Sequence, residues 1–290
     1  MLEGDTRPIP RVLCQPDARK SCGACCGMYN HAEPGEGATL ARLAARTVAY
    51  HAQARIEDAD SLRRFRAAWE PVDPAQKLLS GLPNCPFLGF LDDPTALEPG
   101  RRARVGCMVH PLQNDGIDGR DCGVYDRKVC DEYLCAAHDL LSRDERWLVL
   151  QAVDDSYLYG LVITNVRLVK ELFEQAARIN GAFPDRGTLA RPGVVAAAAR
   201  FFELMRDWPY AARDGVFGQI VAGQDLETSR RAGPSVTLGV EPERFEAILT
   251  CLGTEVDSIE ALEAARSRVC EAVESFASAL SISPSSGARE

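Results

Sequence analysis

Three thiols stand within five positions of the stretch KSCGACCGMYN, residues 20–30: Cys22, Cys25 and Cys26. A hydrophobic core needs no such crowding. A disulfide between the neighbours Cys25 and Cys26 would be strained, because adjacent side chains of an extended backbone point apart. Thiolates two residues apart across a turn do converge on one site, which is why the Cys-x-x-Cys spacing serves zinc and iron–sulfur centres. The chemistry implied is metal ligation, with the missing ligands supplied from elsewhere in the chain.

The chain has eleven cysteines, an odd number that fits poorly with a fully paired disulfide framework. Cys14, Cys22, Cys25, Cys26, Cys85, Cys107, Cys122, Cys130 and Cys135 lie in the first half, and only Cys251 and Cys270 in the second. The expected ligand set is Cys22, Cys25, Cys26, Cys85, Cys107, Cys122, Cys130 and Cys135. Cys22, Cys25 and Cys26 are expected to bind one inorganic centre, completed by Cys85 and the Cys130/Cys135 pair, with Cys107 and Cys122 forming part of it or a second centre. A closed zinc site takes four ligands, often as two Cys-x-x-Cys pairs; one such spacing among eight candidate thiolates favours an iron–sulfur cluster, [4Fe–4S], with structural Zn2+ as the alternative. Cys85-Pro86 is similar to the Cys-Pro that closes ferredoxin-type ligand runs. Five residues of regular helix turn through about 500°. Cys130 and Cys135 therefore share a site only if the helix starts or distorts between them, with Tyr133 and Leu134 packing beside the metal to exclude water.

The series Cys22-x2-Cys25-Cys26, Cys85-Pro86-Phe87-Leu88 and Cys130-x4-Cys135 resembles the CxxCxxCC cysteine-cluster family, described as zinc- or iron-chelating proteins and including the flagellin lysine N-methylases. The runs CPFL at 85–88 and CDEYLC at 130–135 carry the likeness, which covers residues 14–138. Arg19 stands where the family's leading cysteine would fall, leaving Cys14 as a candidate replacement; the run CMVHP at 107–111 is an additional element. The interval from Tyr125 to Cys130 is shorter than the family's. The resemblance implies a metal-binding protein whose cluster is structural or carries electrons, or else a cluster-dependent enzyme that modifies a protein lysine.

Other groups offer less. His31 and His110 lie near Cys26 and Cys107 and are candidate ligands, against the commoner role of a hydrogen-bonded loop histidine; His51 and His138 read as helix-surface residues. Cys251 and Cys270 sit on apolar helix stripes as structural thiols, and Cys14 is open between a spare ligand and a free thiol. The sequence has no GxGxxG, Walker loop, HExxH or GxSxG, and no CxxxCxxC. The run DCGVYDR supplies Asp121, Tyr125, Asp126 and Arg127, most simply a solvated loop, so no catalytic residue is assigned.

The elements that must position these thiols are mostly helical. Leu40, Leu43, Thr47 and Val48, then Leu62, Phe65 and Trp69, recur at helical spacing, with Pro71 and Pro74 closing the segment. Residues 82–122 are rich in Gly, Pro and Asp, with apolar runs at Phe87–Leu91 and Val105–Val109 that predict turns and one small hairpin. A helix following Cys130 is expected to run into the second half. The Ser142–Glu145 run has capping-box spacing ahead of Trp147, a stripe from Leu158 to Phe173 stops near Asn180 and Gly181, and helices are expected at Val194–Met205, Pro242–Leu252 and Ser258–Leu280.

The fold class is therefore mainly α: an irregular cysteine-rich metal-binding lobe, residues 1–141, packed against a helical second half, 142–280, with a disordered tail, 281–290. A chain of 290 residues, 46% hydrophobic, holds one large or two ordinary cores. The net charge of −9 argues against a nucleic-acid footprint, and Arg101, Arg102 and Arg104 beside Glu98 read as a solvated turn. The acid- and proline-containing N-terminus lacks an apolar leader, and no run reaches the ~18 apolar residues of a membrane span. The expectation is a cytoplasmic protein without nucleic-acid or membrane partners, acting with a protein partner or protein substrate.

Overall fold

The computed structural model describes residues 12–70, 77–93, 102–212, 219–220, 229–230 and 232–281. The chain is mainly helical. Its first helices are α1, Glu36–Gln53, and α2, Ala59–Trp69. The apolar spacing read in the sequence buries Leu43, Thr47 and Tyr50 of α1 and Leu62 and Phe65 of α2, while Asp58 caps α2 by accepting from the amides of Asp60 and Ser61. Pro71 and Pro74 lie outside the described residues. The expected hairpin forms: β1, Leu88–Phe90, pairs antiparallel with β2, Val105–Cys107, in a register that sets Leu88 opposite Cys107.

Helices α1 and α2, the hairpin and the turns that follow enclose a small core of Tyr50, Leu62, Phe65, Phe87, Met108, Val109 and Cys122. Phe65 stacks on Phe87 at 5.8 Å and meets Tyr50 edge-on at 5.6 Å. Arg102 and Arg104 of the basic run are committed locally, Arg102 to Glu36 and Arg104 to Asp92.

The segment after Cys130 departs from expectation. Instead of one helix entering the second half there are three: α3, Arg127–Glu132, α4, Ala137–Leu140, and α5, Arg143–Ala152. Tyr133 is extended and ends α3, and Leu141 is extended and ends α4. The Ser142/Glu145 capping box then restarts the chain as α5.

Beyond α5 the core is built by α6, Ser156–Thr164, α7, Val166–Asn180, α8, Arg186–Leu189, and α9, Pro192–Glu203. The short helices α10, Pro234–Leu238, and α11, Glu246–Cys251, lead to the long α12, Ile259–Ser281. The stripe expected to run continuously from Leu158 is broken at Asn165. That side chain caps α7 by accepting from the Leu168 amide at 3.3 Å and donates to the Cys251 carbonyl. Gly181 in the left-handed region closes α7 as expected. The helix expected from Pro242 is shorter than its sequence signal, since Phe245 adopts φ 72° and Arg244 stacks on its ring at 4.4 Å. Residues 282–290 of the expected tail lie outside the described residues. Among the described residues, no helix is long and apolar enough to cross a membrane.

Helix α6 organises the molecule. Every residue from Ser156 to Ile163 is buried, so it has no face to leave in water. Helices α5, α7 and α9 cover part of it, and the N-terminal segment covers more. Tyr29 donates to the Tyr157 carbonyl at 2.6 Å, Tyr157 to the Pro34 carbonyl at 2.9 Å and Tyr159 to the Leu13 carbonyl at 2.8 Å. Leu13, Met28, Tyr29, Leu43, Leu88 and Val105 consequently share one apolar cluster with α5, α6, α7, α9, α11 and α12, across the boundary drawn at residue 141.

Gly160 is the contact that admits Tyr29: a methyl added there would overlap the tyrosine hydroxyl. Gly160→Ala should lower the urea unfolding free energy by about 1–3 kcal/mol through overpacking. Gly193→Ala, where nothing lies within 4 Å, should leave it unchanged or raise it by less than about 1 kcal/mol. Equal effects of the two substitutions would contradict this account of the seat.

Candidate metal centre

The thiol segment is held before any side chain of Cys22, Cys25 or Cys26 is considered. Lys20 is wholly buried; its ammonium donates to Asp17 at 2.8 Å and to the Leu150 carbonyl at 2.9 Å, and lies 5.8 Å from the Tyr159 ring centroid. An unpaired lysine could not sit there at tolerable cost, so Asp17 and the end of α5 fix the approach to the cysteines. Ser21 bonds to Ser156 on α6 and to the Val105 carbonyl on β2. The chain then turns tightly, with the Cys26 amide donating to the Gly23 carbonyl and the Gly27 amide to that of Ala24. Gly27 is required here, because φ is +85° and a Cβ would strike Asn84.

Four further segments are tied to this turn. The Cys22 amide donates to the Cys14 carbonyl at 2.8 Å, and the Cys85 amide to the Cys26 carbonyl at 2.9 Å. Asn30 and Asn84 exchange two bonds, at 2.8 and 2.6 Å, which lock the CPFL segment against the first thiols. The hairpin register brings Cys107 beside that segment, and the Met108 amide donates to the Phe87 carbonyl. Tyr125 donates to the Cys25 carbonyl at 2.9 Å. Arg120, paired with Asp118 and Asp131, anchors α3 and with it Cys130.

The electrostatics sort the thiols. Burial pushes Cys14 up to about 11, with Cys135 adding to the rise. Burial likewise raises Cys22, with Cys14, Cys25 and Cys135 contributing; Cys25 is raised by the protein crowded around it, then by Cys135 and Cys14. A different set acts on Cys26: burial first, then Cys85, Cys107, Cys25 and Cys130. Burial pushes Cys107 up to about 12, with Cys85 and Cys130 adding. Cys85 and Cys130 are also raised, chiefly by burial, and this is opposed at Cys85 by Arg46 and Arg66 and at Cys130 by Arg120.

Backbone amides offset part of this burden. The main chain near Phe87 and Val124 pulls Cys85 back down, that near Ala137 and His138 does so for Cys135, that near Ala24 for Cys22 and that near Val109 for Cys107. Donors aimed at sulfur stabilise thiolate over thiol, which is what a ligand position requires.

Among the described residues, no three Cys, His, Asp or Glu side chains stand close enough together to grip a single metal ion as they are placed. Sulfurs on one zinc lie within about 4 Å of each other, because each Zn–S bond is about 2.3 Å. In a four-iron cluster each thiolate binds a different iron, so the ligands stand wider apart.

Several expectations are revised. Cys122 is buried in the small core, against which Cys85 and Cys107 also pack, and its thiol donates to the Ala59 carbonyl at 3.7 Å. Cys14, left open by the sequence, is tied to Cys22, whose amide donates to its carbonyl. Tyr133 and Leu134 do not shield a centre: they are 39% and 48% exposed. His138 is buried, not on a helix surface. Its Nε2 accepts from the Leu13 amide at 3.0 Å, which leaves the proton on Nδ1, 3.6 Å from the Cys135 sulfur. The Cys135-x2-His138 spacing was the available signal. His31 is buried beside Asn84, and its desolvation, with Arg42, Arg46 and Lys77 nearby, holds it down at about 4; His110 accepts from the Leu112 amide. Cys251 is buried in the main core, whereas Cys270 is half-buried and donates to Glu274.

The raised thiols give the metal-free chain a pH signature. The fold retains protons that an unfolded thiol releases above pH 9.0, so stability is full below that value and is lost as pH climbs through 11 to 12. Urea midpoints of the metal-free protein should stay level from neutral pH to about 9 and then fall, with buried Tyr29 and Tyr159 adding to the fall above pH 10.0. The decline should be shallower in Cys14→Ser and Cys107→Ser; midpoints level to pH 11 would contradict it.

No family model matches this chain, and no curated protein or solved structure proves similar to it.

Proposed function

We propose that the chain is an iron–sulfur protein of the cysteine-cluster type, holding [4Fe–4S] chemistry through cysteine thiolates in a lobe packed on the helical second half. The observation that carries this reading is the gathering of thiols from five separate parts of the sequence, whose segments are tied together by main-chain bonds and by the β1–β2 register. Nothing in the packing of a helical core calls for such an arrangement.

The residues' part in the chemistry follows from their placement. The thiols are neutral at physiological pH when free, so each must release a proton as it takes a metal, and the amides and nearby arginines lower that cost. Because some of the ligands lie more than a hundred residues apart, binding also closes long loops and stabilises the lobe. Cys25 and Cys130 are exposed, so the site reaches the surface. That edge favours electron exchange with a partner protein over a purely structural role, within a cytoplasmic setting free of membrane and nucleic acid.

Anaerobic purification followed by iron, acid-labile sulfide and zinc quantification tests the reading. The expected result is iron and sulfide in equal amounts, with broad visible absorption that bleaches on reduction. Cys25→Ser and Cys85→Ser should lower both metal content and melting temperature. Zinc without sulfide would replace this reading by a structural zinc site, and a metal-free protein unaffected by either substitution would remove both.

A further inference from the structure

Taking the iron–sulfur reading as its basis, we infer that the thiols form two centres rather than one: Cys14, Cys22, Cys25 and Cys135 at the first, and Cys26, Cys85, Cys107 and Cys130 at the second. Each group has the four thiolates that an iron–sulfur cluster takes. The eight are not the eight that the sequence suggested, since Cys14 enters and Cys122 leaves for its bond to Ala59.

The division is made by the backbone. The Cys22 amide is tied to the Cys14 carbonyl, and the Cys85 amide to the Cys26 carbonyl, so each of the two partners is delivered to a different member of the first thiol run. Pairing of β1 with β2 then brings Cys107 to the Cys85 side. Cys130 and Cys135 are parted because α3 ends at Glu132 and Tyr133 is extended. Cys130 stays on α3, tied to Arg120 through its neighbour Asp131, while Cys135 is carried to the large core, against which Cys22 and Cys26 also pack, and faces His138. The neighbour relations that raise each thiol fall into the same two sets, crossed only by the covalent neighbours Cys25 and Cys26.

Those two residues are therefore the seam. One peptide bond joins the centres, and Tyr125 lies over it, its hydroxyl on the Cys25 carbonyl and its ring region acted on by Cys26, Cys25, Cys85 and Cys130. Ligands on adjacent residues hold the centres close enough for their unpaired electrons to interact. They are also electrically unlike. Arg46, buried and bonded to the Cys85 and Leu88 carbonyls, stands beside the second group, and a cation there favours the more negative, reduced state.

The test uses the intact protein first. Fully reduced, it should show two interacting spins per chain by electron paramagnetic resonance and two separate reduction steps on redox titration. The double variants Cys14→Ser/Cys135→Ser and Cys85→Ser/Cys107→Ser should each lose half of the iron and sulfide. Each should keep one spin without the interaction, at unchanged helix content by circular dichroism. A single spin per chain, or a double variant that loses all of the iron while its counterpart loses none, would overturn the two-centre assignment and leave the iron–sulfur reading intact. Absence of iron and sulfide from the intact protein would overturn that reading and this inference with it.

Discussion

A helix that is buried on every side must be roofed, and the rest of this molecule follows from how α6 is roofed. Helices α5, α7 and α9 cannot close over it alone, and the remaining cover is the irregular N-terminal segment, which has few hydrogen bonds of its own to spend. Tyrosine provides the solution three times, since an aromatic ring fills apolar space while its hydroxyl satisfies a carbonyl that an irregular backbone would otherwise leave unpaired. Gly160 supplies the room for one of these rings. The thiol turn is therefore placed by the core, and not by any property of the cysteines.

The same burial makes the thiols reluctant acids. Packed against one another and against apolar walls, they gain from staying protonated, and the fold sets main-chain amides and three arginines against that tendency. The arrangement is a balance in which the low dielectric that penalises a thiolate also strengthens each hydrogen bond to it. Lys20, next to the thiol turn in sequence, is out of reach of water and bonded to Asp17 and the Leu150 carbonyl.

Much of this was legible in the residues. Helical spacing located α1, α2, α9 and α12, the Gly- and Pro-rich run contained the one hairpin expected of it, and the capping box marked the start of α5 to the residue. What sequence could not supply was anything decided between distant segments. Cys122 and Cys130 look alike as candidate ligands, yet one finds Ala59 and a nest of aromatic rings. His138 has a surface residue's neighbours in sequence, but its burial depends on Leu13, 125 positions away. Pro242 carried a helix-start signal that lost to the Arg244 stack and the left-handed Phe245.

The seat of the thiol turn on α6 also sets an order of events during synthesis. The bonds that hold residues 13–34 reach residues 156–159, separations of 123 to 146 positions. A growing chain thus exposes Cys14 through Cys26 to solvent long before the helix that seats them has left the ribosome, and contacts of such span form late. During that interval the cysteines are unprotected thiols in an unfolded chain, dependent on a reducing environment to keep them from oxidation. The thiol segment therefore cannot take its seat until the chain has been made through residue 159.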